Sequence, residues 1–67
     1  MNIAIAGYGI EGRQNYEYFA QQAGNTVTIL DERDKLADAP KGANMQLASD
    51  AFTNLEKYDM VVRTAGL

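Results

Sequence analysis

The chain has no cysteine, no histidine and no tryptophan, and a single proline, Pro40, among its 67 residues. Without thiols or imidazoles there is no disulfide, no Cys- or His-ligated zinc site, no cysteine nucleophile and no imidazole base to activate a serine. Any catalysis by this chain would run on carboxylates, lysines or backbone groups. Basic residues are also few. Six Lys and Arg against nine Asp and Glu give a net charge of -3, and they are scattered, so no nucleic-acid footprint and no polybasic membrane patch is expected. Long hydrophobic runs are missing too: no stretch approaches the roughly 18 apolar residues of a membrane span, and Met1 to Ala6 lacks the basic start of a signal peptide. The expected compartment is the cytoplasm.

What is present is ordinary globular material, with 46% hydrophobic and 22% charged residues, which argues against disorder. The length is about half that of a common domain, and a chain of this size buries only roughly 60% of the surface it exposes when unfolded. Residues 1–67 therefore read as one unit with no internal boundary or repeat. Met1 stands so close to the first strand that it reads as a true start, and further domains are expected downstream of Leu67.

Asn2-Ile3-Ala4-Ile5-Ala6 is an almost unbroken apolar run, as in a strand buried on both faces of a parallel sheet. From Ile10 to Ala23 the spacing becomes helical. Gly12, Tyr16, Phe19, Ala20 and Ala23 share the face expected to pack on the sheet, while Glu11, Asn15, Tyr18 and Gln22 share the outer one. Gly24-Asn25 is a helix stop. Thr26 to Leu30 is a β-branched strand ending at Asp31, and Glu32 to Pro40 is a charged loop with a helical turn expected over Lys35 to Ala39. A short third strand is expected around Met45-Gln46-Leu47, a brief helix capped by Ser49-Asp50 and running towards Tyr58, and a fourth strand over Met60 to Arg63. Strands joined by such long crossovers lie parallel. The fold class is α/β, a Rossmann-like parallel sheet of about four strands, with the fourth expected beside the first.

Gly7-Tyr8-Gly9-Ile10-Glu11-Gly12 is G-x-G-x-x-G between a predicted strand and a predicted helix. Gly7 permits the tight turn, Gly9 lets a pyrophosphate approach the backbone, and Gly12 lets the helix sit close to the sheet. The helix start offers unpaired N–H groups and a partial positive charge to phosphates. Glycines alone also make such turns in proteins that bind nothing. Here Asp31 follows Gly12 by 19 positions (31 − 12) at the tip of the second strand, near the ~20-residue spacing of the acid that receives a ribose or base. Asp31, Glu32 and Arg33 are thus candidates for the nucleoside end, against the bland alternative of a solvated charged loop. Asp31 would repel a 2′-phosphate. Thr64 and Gly66, at the end of the last strand, would face the same crevice. Glu11 suits the helix dipole but would repel a phosphate, so it is expected to point into solvent; Tyr8 is expected to pack under the loop, and Tyr16, Phe19 and the methionines to be core. The P-loop alternative fails, because Arg13 and Gln14 stand where Lys and then Ser or Thr are required.

Ile3 to Phe19, Leu30-Asp31-Glu32-Arg33 and Asp59 to Gly66 together resemble the N-terminal domain of the Mur ligases, and the likeness covers nearly the whole chain. It implies a cytoplasmic enzyme of peptidoglycan-precursor synthesis that uses ATP and Mg2+ to activate a UDP-MurNAc-peptide carboxylate as an acyl phosphate attacked by an amino acid. It implies that this part holds a UDP-sugar nucleotide such as UDP-MurNAc-L-Ala, with Gly9, Ile10 and Glu11 at the loop beside the diphosphate, Asp31, Glu32 and Arg33 at the uracil end, and Thr64 and Gly66 at the last strand's tip. Two positions depart from the pattern: Glu11 stands where a small hydroxyl residue can occur, and Thr64-Ala65-Gly66 replaces Ser-Pro-Gly. The ATPase and C-terminal domains have no counterpart here, so no catalytic residue, metal ligand or cofactor is expected within residues 1–67. The alternatives are the cofactor domain of an NAD-dependent oxidoreductase and a stand-alone nucleotide-binding regulatory module.

Overall fold

Four of the five residues of β1, Asn2–Ala6, are buried, as near-continuous apolarity requires of a strand covered on both faces. Three further strands follow: β2, Thr26–Asp31, β3, Asn44–Leu47, and β4, Met60–Arg63. In the computed structural model, which describes residues 1–63, they form one all-parallel sheet of order β3-β2-β1-β4. Ile3 lies between Val27 of β2 and Met60 of β4, and Ile5 between Ile29 and Val62. This is a small α/β fold of Rossmann-like type, and β4 lies beside β1 on the side away from β2, as expected.

Helix α1, Ile10–Ala20, joins β1 to β2. Its Tyr16 and Phe19 pack on Ile3, Ile5 and Val27, together with Met60 and Val62. The alternate residues of the strands look the other way, where Tyr58 covers Ala4 and Leu30. Gln46 fastens that cover: its Oε1 accepts the Tyr58 hydroxyl at 2.6 Å, and its Nε2 donates to the carbonyls of Asp50, Ala51 and Thr53 at 2.9, 3.3 and 3.1 Å. The entry to β4 is tied to β1 by Asn2 N–H to Asp59 Oδ2 and Asp59 N–H to Asn2 O, both at 2.7 Å.

Several elements differ from the sequence reading. Helix α1 stops at Ala20 rather than Ala23, and Ala20 and Ala23 are exposed. The Asn25 amide takes the Phe19 carbonyl at 3.0 Å, which offers that carbonyl an alternative to another helical turn. The expected helix from Ser49 towards Tyr58 is two 3₁₀ turns, Ala48–Asp50 and Leu55–Lys57. Ala48 and Asn54 are left-handed, with φ of 58° and 55°, and Gln46 draws in carbonyls that a continuous helix would use itself. Over Lys35 to Ala39 there is only a turn, closed by Ala39 N–H to Leu36 O at 3.2 Å. Of the methionines only Met60 joins the core; Met1 and Met45 are exposed, at the chain start and on an edge strand.

Candidate functional site

The glycine loop leaves β1 at the end of the sheet where β2 also finishes. Gly7 has φ of 94°, a left-handed conformation that favours glycine, and its N–H donates to Leu30 O at 2.7 Å, clamping the turn to β2. Gly9 caps α1 in extended conformation with no side-chain cap bond, while its carbonyl accepts the first helical bond from Arg13 N–H at 2.9 Å. Among the described residues, setting aside its chain neighbours, no heavy atom lies within 4 Å of the place where a Gly9 side chain would stand. Ile10 beside it is 81% exposed. The N–H groups of a first helical turn have no intrahelical acceptor, and the backbone carrying them here is accessible. Gly12 is the one buried residue of α1 among those described, consistent with close seating of the helix on the sheet. Glu11 is exposed.

Asp31, at the tip of β2, is only 6% exposed. Its Oδ2 accepts the Tyr8 backbone N–H at 2.9 Å and Arg33 Nη2 at 2.8 Å. Its Oδ1 accepts the Arg33 backbone N–H at 2.9 Å and Arg33 Nε at 3.0 Å. Arg33 Nη2 also donates to Tyr8 O at 3.0 Å. The Arg33 guanidinium, aided by the two backbone N–H groups and opposed by burial, holds the Asp31 carboxyl well below the usual carboxylate range, and the same pair raises Arg33. Asp31 and Arg33 therefore lock the middle of the glycine loop to the neighbouring strand. Arg33 keeps 53% of its side chain exposed while making these bonds through Nε and Nη2.

Tyr8 is buried under the loop, as expected, with its ring edge-on to Tyr16 at 6.4 Å; burial raises its phenol. Two contacts had no counterpart in the sequence reading. Arg13, in the first turns of α1, pairs with Asp38 of the β2–β3 loop at 2.8 Å, a half-exposed pair that lowers Asp38. Ala48 N–H donates to Arg33 O at 3.2 Å and so fixes the main chain that carries the guanidinium. The Asp-x-Arg spacing was a usable signal for part of this, since an aspartate can accept the N–H two residues on; Arg13–Asp38 spans 25 positions and had none.

The structure thus brings Gly7, Gly9, Ile10, Glu11 and Gly12 to the same end of the sheet as Asp31 and Arg33. Glu32 is exposed just past the end of β2, and Thr64 and Gly66 lie outside the described residues. ATP and Mg2+ do not fit this loop: a hydroxyl is wanted at the metal, but Arg13 and Gln14 follow Gly12, and Arg13 is engaged with Asp38. Among the described residues no three His, Cys, Asp or Glu side chains converge as a metal site, and no helix is long and apolar enough to cross a membrane. No protein-family model, curated protein or solved structure matches this chain.

Proposed function

We propose that the chain binds a nucleoside diphosphate at the end of the sheet, with the diphosphate on the backbone of Gly9 and Ile10 and the base against Arg33. The observation that carries this reading is the open backbone at Gly9, at the start of α1, beside a guanidinium pinned to the same loop through Tyr8 O. A helix start attracts phosphate, and a flat, half-exposed cation suits a ring bearing carbonyl acceptors, as uracil does.

The finer reading is that residues 1–67 are the UDP-binding part of a Mur ligase, of the kind that adds D-glutamate to UDP-MurNAc-L-Ala in the cytoplasm. It rests on the sequence resemblance, and the half-exposed guanidinium of Arg33 just past β2 agrees with it. In that reading ATP, Mg2+ and the amino acid are handled by other domains, and this chain alone performs no ligation.

Titration of the 15N-labelled chain with UDP and with NAD tests the proposal. UDP is expected to shift the amides of Gly9, Ile10, Gly12 and Arg33, and Arg33→Ala is expected to weaken UDP about tenfold or more, the scale of a lost charged hydrogen bond. Tighter binding of NAD than of UDP would favour the oxidoreductase alternative. No shift with either nucleotide at millimolar concentration would overturn the proposal.

A further inference from the structure

A ribose is commonly read by a carboxylate at the tip of the second strand, which accepts hydrogen bonds from its two vicinal hydroxyls. Asp31 stands at that tip, yet its acceptors are taken. An ionised carboxylate has about four lone-pair sites, and the backbone N–H groups of Tyr8 and Arg33 together with Arg33 Nε and Nη2 supply four donors. The side chain is only 8% exposed. A ribose diol would have to break the charged pair to reach it.

We propose that this site reads its nucleotide through base and diphosphate and not through the sugar, and so accepts 2′-deoxyribonucleoside diphosphates as readily as ribonucleoside diphosphates. The proposal rests on the nucleotide reading above and narrows it to nucleoside diphosphates of either sugar. Arg33 is the residue that decides this, because it fills one acceptor site on each Asp31 oxygen, through Nε on Oδ1 and Nη2 on Oδ2. Those two sites, one per oxygen, are what a diol would occupy. Glu32 is the rival acceptor, but it is exposed beyond the end of β2, and holding a glutamate in one rotamer costs side-chain entropy.

The test compares the dissociation constants of UDP and 2′-deoxy-UDP for the full chain. In the wild type the two are expected to agree within about twofold, because the Asp31 carboxylate is already filled and gains nothing from the 2′-hydroxyl. In Arg33→Ala both ligands weaken and a preference for UDP of about tenfold appears, since Asp31 keeps only its backbone donors and recovers an acceptor site on each oxygen. A tenfold preference for UDP in the wild type overturns the proposal while leaving nucleotide binding intact, and that ratio decides even where the variant does not fold. Equal affinities in a folded Arg33→Ala overturn the role given to Arg33. Binding of neither nucleotide by the wild type removes the underlying reading and this inference with it.

Discussion

Asp31 is buried and accepts four hydrogen bonds, two of them from main-chain N–H groups. Asp31→Asn is nearly isosteric but puts two N–H donors where at least one must face another donor, from Tyr8, the Arg33 backbone or the Arg33 guanidinium. The expected loss is about 2–3 kcal/mol, a large part of the roughly 3–5 kcal/mol that a core of this size supplies, and urea denaturation followed by circular dichroism measures it. Asp38→Asn, which breaks an exposed pair, is expected to leave the midpoint where it is. The same carboxylate sets the acid limb. Its folded-state value is depressed, so the stability it contributes is fully present above the unfolded value of about 3.9 and is lost as pH falls below it. The urea midpoint is expected to be flat from neutrality to about pH 5 and to fall below about pH 4; a fall that persists undiminished in Asp31→Asn would place its origin elsewhere.

Among the elements, the β3–β4 connection carries the strain. Ala48 sits at φ 58°, where a non-glycine residue costs roughly 1–2 kcal/mol, and its N–H supports the Arg33 carbonyl. Ala48→Gly relieves the steric cost, keeps the N–H and gives back part of the gain as backbone entropy. The expected result is a rise of about 0.5–1 kcal/mol in unfolding free energy. A lower urea midpoint would show that the alanine methyl makes contacts worth more than the strain. Asn54, at φ 55°, tolerates the left-handed region, so Asn54→Gly is expected to change little.

At the scale of the molecule, the sheet of residues 1–63 ends at β3 on one side and β4 on the other. An edge strand offers a row of N–H and C=O groups to any other strand, and β4 also exposes Val61, at 36%. The isolated chain is expected to self-associate as its concentration rises, which sedimentation velocity measures. Val61→Lys, a charge on that edge, is expected to shift it towards monomer without loss of secondary structure. A wild-type chain that stays monomeric into the millimolar range would refute this.

Local chemistry determined most of the architecture. The apolar run of β1, the β-branched β2, the helical spacing from Ile10 and the glycines between them each favour their element without help from distant residues, and the long crossovers then require parallel strands. The placement of Gly9, Ile10, Asp31 and Arg33 at one end of the sheet follows from that order of elements. Which partners those groups find there was decided by the tertiary fold. The end of α1 depends on an asparagine six residues beyond the carbonyl it takes, the shape of the β3–β4 connection on one glutamine amide, and the loop's anchorage on the bonds of Asp31 and Arg33 to Tyr8. Above all, sequence spacing offered Asp31 to a ligand, whereas packing turned it inward onto Tyr8 and Arg33. A carboxylate's lone pairs are finite, and which donors reach them first depends on distances in space that no spacing along the chain encodes.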